Sequence, residues 1–144
     1  MRMYEFVIFQ GAKGKIKKKA LIDTGAEISL IPIGLATEIG VERTNETRNL
    51  VGVHGQGRVL PLGLMGAFFP SLNNKGGQFF IAISDKEKEP IIGMNILRPL
   101  GISIDTKTSQ LQVKNEIWEA FKTLSAVGVA AFLTIEVLKV ILKE

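Results

Sequence analysis

The stretch KKALIDTGAEISLIP, residues 18–32, contains the tripeptide Asp23-Thr24-Gly25, which combines a carboxylate, a hydroxyl group and a residue without a side chain. The apolar triplet ALI precedes Asp23, and the apolar run ISLI follows soon after it. A carboxylate held away from water in such surroundings is costly unless it is paired or hydrogen-bonded. A compensated carboxylate of this kind can transfer a proton, whereas an isolated Asp-Thr-Gly more often caps a turn at a strand end. The surrounding elements decide between these interpretations.

The elements around Asp23 are predicted to be short β-strands. Residues 4–10 and 16–22 are apolar, β-rich runs separated by the turn sequence GAKGK, which predicts a β-hairpin. Asp23 then lies at the exit of the second strand. After a turn at Pro32, a short helix is predicted to end near Gly40, because glycine commonly terminates helices.

The remainder of the first 114 residues continues this pattern. Residues 41–49 are polar and predict an exposed strand or loop, and the glycine-rich stretch LVGVHGQGRVLPLG is typical of a mobile hairpin. A further hairpin is predicted around NNKGG (73–77), then a helical turn at 94–99 and a closing hairpin in ISIDTKTSQLQV. The fold class is therefore mainly β with one or two short helices, in a domain spanning residues 1–114.

Residues 115–144 have apolar side chains every three or four positions and predict a long C-terminal helix. Its uncharged stretch, residues 123–135, would make about 20 Å of helix against a bilayer core of about 30 Å. Flanking Lys122, Lys139 and Trp118 are suited to extend such a span. Two alternatives stay open: a soluble helix packed on the β domain or on a second copy, and a membrane contact through residues 117–142.

Composition restricts the classes of site and partner. The chain has no cysteine, which excludes disulfides, thiolate metal sites and a cysteine nucleophile, and a reducing cytoplasm is the expected location, with membrane association through the C-terminal helix as the alternative. Five lysines within residues 13–19 account for the net charge of +4, since the other 13 basic residues face 14 acidic ones. Such a cluster is typical of a solvated turn, and no aromatic residue is interleaved with it. A nucleic-acid partner is therefore not expected.

Three segments occur in an order that points to one enzyme family: ALIDTGAEISLIP, LVGVHGQG and IIGMNIL. The first resembles the active-site segment of the retropepsins, the retroviral-type aspartic proteases. The second lies where those proteins carry a glycine-rich flap, and the third is similar to the apolar-apolar-Gly segment before their short helix. The later LRPLGISIDTKTSQLQV resembles the closing strands of cellular and prokaryotic members. The resemblance covers about residues 4–114 and implies a retropepsin-like half-barrel that acts as an aspartic endopeptidase on polypeptide.

The resemblance also implies roles for individual residues. In this family two aspartates share one proton, because close like charges resist ionising together. One Asp23 carboxylate would activate a water while a second, protonated one polarises the substrate carbonyl. Thr24 would hydrogen-bond to the opposing loop, and Gly25 would offer its N–H to the carboxylate. The substrate-binding residues implied are Ala26, Gly52, Val53, His54, Gly55, Ile92 and Gly93.

A second aspartate is required, and Asp105-Thr106 is the only other Asp-Thr in the chain. Lys107 stands where a glycine is needed, so this dipeptide is rejected. The catalytic pair is therefore expected to be Asp23 from each subunit of a homodimer. The alternative is a catalytically silent fold that serves as a peptide-binding or dimerisation module, with or without a membrane anchor.

His54 departs from family flaps, which usually carry an aliphatic residue near the tip. It is either a substrate contact or an exposed polar residue. With one histidine and no cysteine no metal site is predicted, and hydrolysis of this kind needs no cofactor.

Overall fold

The computed structural model describes residues 2–51 and 57–113. Residues Met1–Gln112 form one compact unit, and the helix predicted for residues 115–144 lies outside the described residues. No helix in the described part of the chain is long and apolar enough to cross a membrane. The strands are β1 (Met3–Gly11), β2 (Gly14–Ile22), β3 (Leu30–Pro32), β4 (Glu42–Val51), β5 (Gly57–Phe69), β6 (Lys75–Ser84), β7 (Ile91–Ile92), β8 (Ile102–Asp105) and β9 (Gln110–Val113). The helices are α1 (Ile33–Ile39), α2 (Met94–Leu97) and a 3-10 turn at Pro70–Leu72.

Seven of these strands form one sheet in the order β1-β2-β7-β3-β6-β5-β4. Because β1 also pairs with β5, six of them close into a barrel, and β4 pairs with β5 outside the closed ring. The mainly β class with short helices is confirmed, but the expected half-barrel is a closed barrel. Strands β8 and β9 form a separate two-stranded sheet.

Strand alternation separates two apolar clusters. Inward-facing Val7, Phe9, Met65, Ile81 and Ile83 belong to the main core inside the barrel. Each such side chain contributes about 1.5–3 kcal/mol when fully buried. A second cluster, which we call the outer cluster, lies between the β4–β5 hairpin and strands β3, β6 and β7. Its buried members are Ile28, Leu30, Leu60, Leu62 and Ala82, with Leu50 and Ile91 packed against them.

Two local predictions are confirmed. Strands β1 and β2 form the expected hairpin, whose last pair is Gly11 with Gly14. Helix α1 ends where expected, at Gly40, which has a φ of 71° and donates its N–H to the carbonyl oxygens of Ala36 and Thr37. Only glycine adopts this left-handed conformation without strain.

Residues 41–49, predicted to be an exposed strand or loop, belong largely to β4 and are mostly exposed, which confirms the strand alternative. One other segment differs from its prediction. The turn between β5 and β6 begins earlier than NNKGG, at Pro70, and Asn73 and Asn74 supply its left-handed residues with φ of 56° and 58°. Asparagine tolerates this conformation better than most side chains, so the following glycines are free to enter the strand.

Candidate active site

Asp23 is the first residue after β2, and its position is set by the main chain. Its N–H donates to the carbonyl oxygen of Ile92 at 2.9 Å, which extends the pairing between β2 and β7. The N–H of Ala26 donates to the carbonyl oxygen of Asp23 at 3.2 Å and closes a turn. The carboxyl group is therefore presented by a turn that is fixed to the edge of the barrel.

The Asp23 side chain is partly exposed in the single chain, and Thr24 and Gly25 are exposed. Its Oδ1 accepts a hydrogen bond from the Gly25 N–H at 2.9 Å, as the resemblance implied for Gly25. Asp23 takes part in neither of the two ion pairs found within residues 2–51 and 57–113. The expectation of a carboxylate held away from water is wrong for an isolated subunit, because Ala20 and Ile22 are buried but the turn itself reaches solvent. The carboxylate is thus available to a partner or a substrate.

The loop that follows Asp23 is bound to the segment preceding and starting α2. The carbonyl oxygen of Ala26 accepts from the Met94 N–H at 2.7 Å, and that of Glu27 accepts from the Asn95 N–H at 3.1 Å. A Cβ placed on Gly93 would lie 2.7 Å from the Ala26 carbonyl oxygen. Gly93, predicted to bind substrate, therefore packs behind the loop and lets the two segments approach closely.

Ser29 and Asn95 connect these segments and were missed by the sequence analysis. Ser29 is fully buried, and both its N–H and its hydroxyl donate to Asn95 Oδ1 at 2.7 Å. The Ser29 hydroxyl accepts from the Gly93 N–H at 2.8 Å, and Asn95 Nδ2 donates to the Phe80 carbonyl oxygen at 2.6 Å. A partly buried polar network centred on the buried Ser29 favours one arrangement of the main chain. The available signal was a serine inside the apolar run ISLI and an asparagine two residues after Gly93.

Ile91 faces the outer cluster, whereas Ile92 does not. Ile92 is fully buried in the main core, so its side chain is not accessible to a substrate and the prediction that it binds one is corrected. Successive side chains of a strand point to opposite faces, so the neighbouring Ile91 faces outward and pairs with Leu21 and Leu30. Ile91 and Leu30, on the same face of the sheet, are the better candidates for an apolar floor.

The β4–β5 hairpin is tied to the barrel by two ion pairs. Arg48 on β4 reaches Glu27 at 3.4 Å, but their side chains are 46% and 87% exposed, and such pairs contribute little. Arg58 on β5 reaches Glu87 at 2.6 Å with side chains 27% and 23% exposed. The buried Ser84 hydroxyl donates to Glu87 and accepts from Arg58. The second pair is the stronger attachment, because it is more protected from solvent and doubly hydrogen-bonded.

The predicted flap residues Gly52, Val53, His54 and Gly55 lie outside the described residues. Strands β4 and β5 flank them, and the last pair of their antiparallel register is Val51 with Gly57.

Asp105, rejected as a catalytic partner, lies at the end of β8 in the separate two-stranded sheet. Its Oδ1 accepts from the Lys107 N–H at 2.9 Å, a local turn that copies the hydrogen bond between Asp23 and Gly25. In the described residues, no three His, Asp or Glu side chains are grouped as metal ligands. The absence of a metal stays a prediction.

The stabilising contribution of Glu87 to the folded state should be lost in acid. Burial acts to raise the pKa of Glu87, but hydrogen bonds from Arg58 and Ser84 and the Arg58 charge outweigh it and lower the pKa below the ordinary 4.5. A carboxyl group with a lowered pKa in the folded state stabilises that state above the unfolded pKa, and the contribution is lost as pH falls through the folded value.

We therefore expect the unfolding temperature to fall more steeply below pH 4.5 in the wild type than in Glu87→Gln. Glu87→Gln should be the less stable protein at neutral pH. Thermal unfolding followed by circular dichroism checks this, with exposed Glu38→Gln as the control. Parallel profiles for wild type and Glu87→Gln would contradict the prediction.

Comparison with known proteins gives the fold. No protein-family model matches the chain, and no curated protein sequence matches it significantly. Among solved structures, the EIAV protease complexed with the inhibitor HBY-793 matches with a TM-score of 0.59 and 18% identity, covering 73% of this chain and 93% of that one. The retroviral protease-like domain of Ddi1 from Leishmania major matches with a TM-score of 0.51 and 18% identity, covering 78% and 89%. The chain has the retropepsin fold.

A retropepsin-like aspartic protease from Rickettsia conorii also matches, with a TM-score of 0.48 and 16% identity over 76% of this chain and 88% of that one. The EIAV protease and Ddi1 matches confirm, at the level of the fold, the resemblance inferred from three short segments. In this retropepsin fold the Asp-Thr-Gly turn lies at the exit of β2, as the sequence predicted. The turn also rests on the Gly93 segment, a contact that the sequence did not predict.

Proposed function

We propose that the protein is a homodimeric aspartic endopeptidase in which Asp23 of each subunit supplies one of two catalytic carboxyl groups. The observation that carries this proposal is the Asp23 turn: an accessible carboxylate, hydrogen-bonded by Gly25, on a rigid support in a retropepsin fold. The described part of the subunit has a single turn of this type in the barrel, since Asp105 belongs to the separate sheet. Two copies of the subunit would complete the pair.

The reaction follows from two carboxyl groups that share one proton. The ionised Asp23 takes a proton from a water, whose oxygen attacks the carbonyl carbon of the scissile peptide. The protonated Asp23 of the second subunit gives its proton to the carbonyl oxygen and yields a tetrahedral diol. The first Asp23, which now holds the proton from the water, gives it to the amide nitrogen. The C–N bond breaks as a diol hydroxyl returns its proton to the second Asp23, which releases an amine and a carboxylic acid and restores one shared proton. No cofactor enters this sequence.

The supporting residues hold the carboxyl groups in register. Thr24 is exposed at the tip of the turn, where it can hydrogen-bond to the same turn of a second subunit. Ala26 is small and leaves space for a peptide main chain. The bonds between Ser29 and Asn95 hold the loop from behind, so a carboxylate on an exposed turn still has a defined position.

Substrate would lie between the β4–β5 hairpin and the floor of the site. An extended peptide would hydrogen-bond through its main chain, and outward-facing Ile91, Leu30 and Leu50 favour apolar side chains next to the scissile bond. Gly52 to Gly55, with His54 near the tip, would close over the peptide and exclude water. The cytoplasmic location stays a prediction.

Mixing of subunits tests whether two chains build one site. If wild-type protein exchanges subunits with a tenfold excess of Asp23→Asn, nearly all wild-type subunits enter mixed dimers, and about a tenth of the activity remains. An equal mass of serum albumin is the control. Subunit exchange is confirmed independently by energy transfer between labelled chains. Full activity despite exchange, or a fully active species that sediments as a monomer, would exclude the shared site.

A further inference from the structure

Three lysines at alternate positions of β2 form a row of positive charge on one face of the strand. The strand leads directly to the candidate active site. Ala20 and Ile22 are buried, so Lys15, Lys17 and Lys19 point outward, and all three are exposed. Alternate residues of a strand lie about 6–7 Å apart. Leu21 and then Asp23 continue the same alternation, which places the lysines on the strand that delivers the candidate catalytic carboxylate.

Pairing with β1 adds aromatic and apolar groups to this face. In the antiparallel register Phe6 lies opposite Lys19, and Ile8 lies opposite Lys17. The Lys17 Nζ lies 5.3 Å from the centre of the Phe6 ring, and the Lys19 Nζ lies 5.6 Å from that of Tyr4. Phe6 is 51% exposed, a large exposure for a phenylalanine. We define the basic face by its members: Tyr4, Phe6, Ile8, Lys15, Lys17 and Lys19.

This arrangement changes the interpretation of the lysine cluster. The sequence showed no aromatic residue between the lysines, but the register of the hairpin brings Tyr4 and Phe6 from the neighbouring strand among them. The outward positions of β1 and β2 in residues 4–21 hold no acidic residue that would neutralise the face. The Tyr4 hydroxyl donates to Glu89 at 3.2 Å, so the end of the face nearest the site is fixed to the segment before β7.

We infer that the basic face is an exosite for an acidic segment of the polypeptide substrate. The inference rests on the proposed endopeptidase function. Lysine ammonium groups complement aspartate and glutamate, and Phe6 offers an apolar contact for side chains between them. Each exposed charge pair is weak, so binding requires several pairs made by one segment.

The position of the face on β2 favours a substrate over other polyanions. Lys19 and Lys15 lie four and eight residues before Asp23, or roughly 13 and 26 Å along a strand. An extended peptide advances about 3.3–3.6 Å per residue. For a substrate that continues from the site along β2, which is part of the inference, acidic residues about four to eight positions from the scissile bond would therefore lie beside the lysines. A segment already held at the site meets the face at high effective concentration, which a separate nucleic acid or membrane does not.

Paired substrates test this inference. A cleaved core peptide selected from a library is extended on either side with Asp and Glu in one version and with Asn and Gln in the other. At low salt we expect kcat/KM to be about tenfold higher for the acidic version, through KM, and the advantage to vanish at high salt. Lys17→Gln/Lys19→Gln should bring the ratio of the two substrates close to one. Arg43→Gln/Lys107→Gln, which removes the same charge elsewhere on the surface, should leave the ratio unchanged.

A binding measurement separates failure of the exosite from failure of the proposed activity. Fluorescence anisotropy of the labelled acidic peptide with Asp23→Asn should show binding that Lys17→Gln/Lys19→Gln weakens, even if no peptide is ever cleaved. Equal binding of the acidic and neutral peptides would overturn the inference and leave the lysines as protection of a sheet edge. Lysine-dependent binding of single-stranded DNA or of phosphatidylserine vesicles, without binding of the acidic peptide, would overturn it as well.

Discussion

Asp23→Asn is expected to lower kcat/KM for peptide cleavage by about a hundredfold to ten-thousandfold, because loss of a positioned acid–base group typically removes about 10²–10⁴ in rate. Asparagine has the shape of aspartate and can still accept the Gly25 N–H, and the main-chain bond from residue 23 to Ile92 is unaffected. The variant should therefore fold and dimerise like the wild type. Cleavage of a peptide library at mildly acid pH, with and without a general aspartic-protease inhibitor, measures the effect.

Asp105→Asn is a matched control for this substitution. Asp105 also precedes a threonine, and its carboxylate also accepts the N–H of the residue two positions later. Its replacement should leave kcat/KM unchanged, because it belongs to the separate β8–β9 sheet. If Asp23→Asn cleaved as fast as wild type, catalysis would not use this residue. If neither the wild type nor Asp23→Asn cleaved peptides but both bound extended peptides, the chain would be a binding module with a retropepsin fold.

Gly93→Ala is expected to destabilise the protein by about 2–3 kcal/mol, since a methyl group forced into a packed site strains the structure around it. The added Cβ would lie 2.7 Å from the Ala26 carbonyl oxygen and 3.0 Å from main-chain atoms of Ile28, which cannot move without moving the loop. Displacing the Asp23 turn by about 1 Å should also lower activity about a hundredfold. Thermal unfolding and kcat/KM of the purified variant measure both effects.

Gly34→Ala provides a control of opposite sign. Gly34 lies in α1, and apart from its chain neighbours and the backbone of its own helix no described atom lies within 4 Å of the Cβ that alanine would add. Alanine in a helix is favoured over glycine by about 0.5–1 kcal/mol, so this variant should gain stability and keep full activity. Wild-type stability in Gly93→Ala would mean that the loop and the α2 segment are not packed as tightly as described.

The sequence alone determined the strand-rich class, the β1–β2 hairpin, the helix end at Gly40 and the place of Asp23 at a strand exit. These features depend on neighbouring residues: alternation with period two, a glycine where φ is positive, and turn residues between apolar runs. The candidate catalytic residue, Asp23, could also be found from the sequence, because the Asp-Thr-Gly motif consists of neighbouring residues. The flap tip and the C-terminal helix stay predictions.

Contacts between segments far apart in the sequence are visible in the folded chain and not in the sequence. The hydrogen bond between Ser29 and Asn95 joins residues that are 66 positions apart. Arg58 on β5 pairs with Glu87 because the folded chain places β5 next to the segment between β6 and β7. The outward direction of Ile91 and the contact of Phe6 with Lys17 depend on strand register. A shift of one residue in that register would reverse every side chain, and no local pattern in the sequence states which strands are neighbours.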